Sequence, residues 1–204
     1  MAKKMAAFLG KGQNKDGYIE LQNDIVTWCI GHILETAPPE EYDKKWQKWS
    51  FETLPIIPSE WKLKVIKSKQ KQVNAIKGLI KRKDVDVIVN AGDPGREGQL
   101  IVDEVLYFCG NKKKVERINL NALDHQSIKK AMNSIEDNSK YNSLYWAGVG
   151  RQRADWLIGM NMTRAYTLLG QRRGGKGVLT VGRVQSPTLA LVVKRDREIE
   201  NFVP

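Results

Sequence analysis

Two carboxylates stand four residues apart among three glycines, in the stretch Asn90-Ala91-Gly92-Asp93-Pro94-Gly95-Arg96-Glu97-Gly98. Asp93 and Glu97 offer hard oxygen donors, and with no His or Cys beside them such donors favour Mg²⁺ over zinc. Gly92, Gly95 and Gly98 keep the backbone bare where a cation and a phosphate would approach. A structural reading competes on equal terms. Asp93 suits a helix N-cap, Pro94 the first helical position, and Glu97 a first turn, where it complements the helix dipole. The density of glycine tips the balance towards chemistry.

The elements around this stretch decide where it sits. Val87, Ile88 and Val89 read as a short strand buried on both faces. Beyond the glycines, Leu100, Ile101, Val105 and Leu106 recur at helical spacing. A strand handing over to a helix is where open α/β sheets bind ligands. Upstream, residues 1–9 read as an amphipathic helix closed by Gly10, with too short an apolar part for a signal peptide. Residues 18–22 and 25–30 flank Asn23-Asp24 as a hairpin. His32, at the strand end, reads first as a hydrogen-bonded structural residue.

Residues 35–59 carry Pro38, Pro39, Pro55 and Pro58 and cannot form a long regular element. Trp46 and Trp49 in that stretch suit either stacking on bases or tucking the loop onto the body. A half-exposed strand at 61–67 and a helix at 70–82 follow, the helix placing Val73, Ile76, Leu79 and Ile80 on one face. A strand at 115–120 and a helix at 124–135 complete an alternation that predicts a mostly parallel sheet. Near Asp137 the style changes. Residues 145–169 read as helix, 174–177 as a flexible loop, 178–181 as a short strand, and Ser186-Pro187 opens a last helix ending near Glu198.

Charge narrows the partners. The 204 residues carry a net charge of +11, and the pI is about 9.6. Between Arg151 and Arg197 there are ten Lys and Arg against two acids, Asp155 and Asp196. A second basic block covers 62–83. An imbalance this local points to a polyanion, with nucleic acid first and anionic lipid a distant second. A hydrophobic fraction of 41% excludes wholesale disorder. No apolar run approaches the ~20 residues needed to span a bilayer. The two cysteines, Cys29 and Cys109, lie in apolar segments and read as reduced, buried thiols, which fits a cytoplasmic protein. There is no zinc pattern.

At this point the residues carry a resemblance. Gly-Asp-Pro-Gly-Arg-Glu-Gly-Gln-Leu-Ile-Val-Asp-Glu-Val, from Gly92, resembles the acidic motif of the TOPRIM domain. Two later segments are similar to those that follow it in type IA DNA topoisomerases: Arg-Gln-Arg-Ala-Asp-Trp-Leu-Ile-Gly-Met-Asn-Met-Thr-Arg from Arg151, and Val-Leu-Thr-Val-Gly-Arg-Val-Gln-Ser-Pro from Val178. Val-Thr-Trp-Cys-Ile-Gly-His from Val26 adds a likeness to the bacterial topoisomerase III branch. The resemblance covers essentially the whole chain in the family's order. The fold it implies is α/β: a Rossmann-like TOPRIM domain over 1–124, then the beginning of a mainly helical DNA-binding domain over 125–204.

The family's activity is ATP-independent. A tyrosine cleaves a single strand through a 5′-phosphotyrosyl link, another strand passes, and the break is resealed. The resemblance implies single-stranded and negatively supercoiled DNA as partner, Mg²⁺ as cofactor, a monomer and no membrane. By position Asp93 is a metal ligand and Glu97 a supporting carboxylate. The same resemblance implies that Trp49, Arg151, Trp156, Arg164 and Gln171 contact DNA, and that Thr180, Val181, Gly182, Arg183, Val184 and Gln185 line the strand. Asp155, four residues after Arg151, pairs with it and orients it, or forms a plain surface ion pair.

Three departures stand out. Gly95 replaces the second aspartate of the family's Asp-x-Asp-x-Glu pattern. The family's first strand, with its catalytic glutamate, and the later segment with the nucleophilic tyrosine are expected to lie outside this sequence, as in a fragment or decayed copy. Gln171 stands where relatives often have arginine. A non-catalytic TOPRIM module that binds DNA is the alternative reading.

Overall fold

In the computed structural model, which describes residues 1–203, the chain forms two compact units. One comprises residues 1–35 and 63–149, the other residues 36–62 and those from 150 onward. The expected cut after residue 124 does not coincide with them. Residues 36–62, four prolines among them, leave the first unit and pack with the chain beyond 150.

The first unit begins with α1 (Ala2–Leu9), which ends at Gly10 as the pattern predicts. Ala6 packs with Ile19 and Leu21 of an antiparallel meander, β1 (Gln13–Lys15), β2 (Tyr18–Glu20) and β3 (Ile25–Thr27). Tyr18 pairs with Thr27 and Glu20 with Ile25, so the predicted hairpin is present, and β1 adds an unforeseen strand. A two-stranded sheet joins β4 (Leu34–Thr36) to β5 (Leu63–Val65). On α2 (Gln70–Ile80) the four predicted apolar residues are all buried. Val73, Ile76 and Ile80 share a core with Ile33, Leu34, Val105 and Leu106 of α3 (Arg96–Phe108), and its C-cap Cys109.

The third sheet runs β6 (Val87–Asn90), β7 (Lys114–Arg117), β8 (Glu136–Asp137). β6 and β7 are parallel and β8 is antiparallel to β7. The α/β architecture with a helical region after it is as expected, but in place of a mostly parallel sheet the strands divide among three small ones, with β1, β2 and β3 antiparallel and β6 and β7 parallel. β6 is not buried on both faces. Val87 and Val89 are 41% and 43% exposed, while Ile88 and Asn90 point inward. β6 is an edge strand, and the period-two alternation leaves one of its faces uncovered. Beyond β7, Ile118 and Leu120 meet Met5 and Ile128 in a second cluster. Ile128 lies on α4 (His125–Met132), capped by the Asp124 carboxylate accepting from the Ser127 N–H at 2.9 Å.

The helix α5 (Asn142–Arg172) is longer than its pattern predicts. In its first turns Gly148 lies so close to α3 that a Cβ would stand 2.9 Å from the Leu100 Cβ. In the second unit, short 3₁₀ turns at Pro39–Glu41, Lys44–Trp46 and Phe51–Thr53 replace a long element, as the prolines require. Asn161 of α5 holds this stretch, donating to the buried Ile56 carbonyl at 2.9 Å. The last helix is α6 (Gln185–Glu200). Residues 178–181 form no strand, because no neighbouring strand offers them a ladder among the described residues.

Candidate functional site

The strand-to-helix loop follows from the pairing of β6 with β7. Register places Asn90 opposite Arg117 at the carboxyl ends of these parallel strands. From there Arg117, wholly buried, reaches into the loop. Its Nη1 donates to the Asn90 carbonyl at 3.0 Å, the Asn90 Oδ1 at 3.1 Å and the Gly92 carbonyl at 2.8 Å. Its Nη2 donates to the Asp93 carbonyl at 2.9 Å. Burial pulls its basicity down, and the nearby Tyr141, Asp103 and Asp93 oppose that.

Asp93 is therefore not an N-cap. The cap is Gly95, and α3 starts at Arg96. With the Asp93 carbonyl tied inward, the chain turns two residues later, at a φ of 142° and ψ of 173° that glycine alone adopts readily. Gly98 is packed against Asp93: a Cβ there would lie 2.2 Å from the Asp93 carbonyl oxygen. Gly92 is equally pressed, with its notional Cβ 2.5 Å from the Gly98 oxygen. Two of the three glycines thus serve close packing rather than open approach.

Asp93 and Glu97 are both exposed. The Glu97 Oε2 lies 3.6 Å from the His32 Nε2, and its Oε1 4.0 Å from the Arg96 Nε. His32 thus faces the candidate loop. Beneath the loop, Asp103 accepts from Asn90, Gln99 and Asn138 at 2.7–3.3 Å. No three His, Cys, Asp or Glu come together as a ligand set among the described residues. Asp93 and Glu97 nevertheless fit Mg²⁺ in kind. Mg²⁺ keeps most of its waters and needs only one or two carboxylates, with phosphate oxygens completing its shell.

The second unit holds the remaining predicted residues. Asp155 lies 3.6 Å from Arg151, the expected pair, and also accepts a short hydrogen bond from the Arg183 Nε. That bond holds the Asp155 carboxyl below the usual carboxylate range and raises Arg183. All three side chains are partly exposed, so the cluster adds little stability. It fixes where two guanidiniums point.

Thr163 and Thr167, four apart on α5, pin the segment that follows the 174–177 loop. The Leu179 N–H donates to the Thr167 Oγ1 at 2.9 Å, and the Val181 N–H to the Thr163 Oγ1 at 3.0 Å. The Gly182 N–H donates to the Ser186 Oγ at 3.1 Å. Thr180, Arg183, Val184 and Gln185 remain exposed, as does Gln171.

Trp156 meets Tyr42 and Trp61 edge-on, at centroid distances of 6.0 and 5.4 Å, and is half-buried. The Arg153 guanidinium lies 5.2 Å from the Trp61 ring centroid. Arg164 is 3% exposed, which departs from a surface phosphate contact. It donates to the Trp46 carbonyl at 2.6 Å and stacks 5.2 Å from the Trp49 centroid. Burial lowers its basicity, against the field of Glu40. An arginine on a helix in a basic run reads as solvated until the loop that covers it is known. Arg117, Thr163 and Thr167 escaped the sequence reading. Only the Thr-x-x-x-Thr spacing carried a signal that could have found any of them.

Comparison with known proteins finds matches along nearly the whole chain. The family described as "Toprim domain" matches residues 2–123, and the one described as "DNA topoisomerase" matches residues 139–204. Over 210 residues the chain is 46% identical to a DNA topoisomerase 3 of Vibrio cholerae, covering all of this chain and 32% of that protein. Its identity to a DNA topoisomerase 3 of Bacillus subtilis is 39% over 204 residues, covering 27% of that protein. The chain spans about a third of the length of these curated relatives. A solved structure of full-length topoisomerase I from Thermotoga maritima superposes with a TM-score of 0.60 at 26% identity, over 99% of this chain and 29% of that one.

Proposed function

This chain belongs to the type IA DNA topoisomerase family, and from that premise we propose that it supplies the cation-holding loop and a strand-holding surface of such an enzyme. The reaction is ATP-independent cleavage, passage and resealing of single strands in negatively supercoiled DNA, carried out by a cytoplasmic monomer. The observation that carries this reading is the segment 180–185. The side chains of Thr180, Arg183, Val184 and Gln185 stay exposed while the backbone is fixed on α5 beside the Arg151–Asp155–Arg183 cluster. Arginines held in place bind phosphates without reading sequence. Trp156 and Trp49 sit on the same unit and back the strand with aromatic surface.

Asp93 and Glu97 would hold Mg²⁺. Held there, it would supply positive charge that neutralises phosphate oxygens. With Gly95 in place of a third carboxylate, its affinity is low. None of the six tyrosines is assigned the nucleophile's role. The Tyr42 hydroxyl is engaged with the Lys62 backbone, and that of Tyr141 with Asn119 and Glu136. Gly95 also favours a second reading, a Toprim-bearing module that binds DNA without chemistry, because its φ of 142° disfavours the family's aspartate.

The purified chain is expected to bind single-stranded oligonucleotide with a steep salt dependence, and with quenching of tryptophan fluorescence. It neither relaxes supercoiled plasmid nor forms a covalent adduct on a denaturing gel. Salt-insensitive binding, or none, sinks the surface assignment; relaxation by the pure chain sinks the division of labour.

A further inference from the structure

We propose that Arg117 is a positioning residue for the carboxylates of the strand-to-helix loop, an inference that rests on the cation-holding reading of Asp93 and Glu97. Between β6 and α3 the Gly92 and Asp93 carbonyls have no ladder or helix partner, and the Asn90 carbonyl takes the last ladder bond, from the Ile118 N–H at 3.0 Å. One guanidinium takes all three in turn, at 2.8–3.0 Å. It also takes the Asn90 Oδ1, which accepts from the Gly92 N–H at 3.0 Å. The backbone on the N-terminal side of Asp93 and its own carbonyl are thereby fixed, and with them the direction in which the carboxylate leaves. Glu97 follows one turn into α3, whose start is seated on Asp93 by Gly98.

Stability alone does not account for Arg117. A buried cation whose Nε finds no partner is a costly way to fill that space, and an apolar side chain of similar volume often fills it without penalty. A planar fork bridging successive carbonyls is something neither an apolar residue nor lysine provides.

The test compares the parent with Arg117→Lys, which keeps the charge and loses the fork. Amide hydrogen exchange is followed by mass spectrometry, and Mg²⁺ binding by calorimetry. Exchange in residues 91–98 is expected to quicken roughly tenfold or more while residues 70–80 stay protected. Mg²⁺ affinity falls by roughly 10–100-fold. Unchanged exchange at 91–98, an equal rise in both segments, or a loosened loop that binds Mg²⁺ as the parent does would each overturn the proposal. If Arg117→Lys does not fold, Asn90→Ala, which removes the shared side-chain acceptor, is judged by the same outcomes. A parent that binds no Mg²⁺ refutes the cation reading, and the exchange result then still decides whether Arg117 holds the loop.

Discussion

Two irregular segments carry the candidate site residues of this chain, and they are held by opposite means. The loop 91–95 is fixed from within, by a buried guanidinium and by glycines pressed against backbone. The segment 178–184 is fixed from one side, by the hydroxyls of Thr163 and Thr167, with most of its side chains in solvent. The first arrangement sets the direction of two carboxylates and leaves no room for a side chain at Gly92 or Gly98. The second leaves a flexible polymer room to lie along it. A metal ion needs the former, since misplaced ligands forfeit affinity; a sugar-phosphate strand is served by the latter.

The harshest test of this contrast is Gly98→Ala. Its methyl group meets the Asp93 backbone, which no rotamer relieves. A loss of about 3 kcal/mol is expected in urea unfolding. An unperturbed midpoint would mean that the loop is not packed from within.

Next comes a property of the core behind that loop. Burial, with the nearby Cys109, pushes the Cys29 thiol up to about 11. Unfolded, the thiol ionises near its ordinary value, so the stability it contributes is complete below about pH 8.5 and lost as pH rises towards 11. About 2–3 kcal/mol is at stake. Cys29→Ala should flatten the alkaline fall in unfolding free energy, and an identical profile would place Cys29 in contact with water.

Gly95→Asp sharpens the comparison, because two effects oppose. The added carboxylate tightens Mg²⁺ binding, while the φ of 142° imposes strain of about 1–3 kcal/mol. Calorimetry and thermal melts on one sample separate them. Equal Mg²⁺ affinity in the folded variant would remove position 95 from any metal site.

On the other unit, Thr163→Val removes the acceptor of the Val181 N–H, at a cost of about 1 kcal/mol. Single-strand affinity should fall by no more than about fivefold. A larger loss would show that the segment depends on its anchors as the loop does. The smallest effect is expected at Gly150→Ala, on a helical position open to space, which should stabilise by about 0.5–1 kcal/mol.

The local order of elements was legible because it rests on local physics. The apolar face of α2, the hairpin around Asn23-Asp24, the proline-broken stretch and the Gly10 stop each follow from period and turn chemistry. The acidic motif and the basic run were equally plain, since residue type and spacing carry them. Boundaries that depend on a distant partner were not. Asp93 looks like a cap until Arg117, distant in sequence, takes its carbonyl. Val87 and Val89 look like core until the sheet leaves one of their faces open. Arg164 looks like a phosphate contact until residues 46–49 close over it.

By itself, then, the sequence determined which residues could meet a cation or a phosphate, and in what order along the chain. Only the tertiary structure decided which of them are free to do so. A carbonyl, a methyl or a guanidinium is spent or available according to what packs on it, and the packing here joins residues that no local window contains.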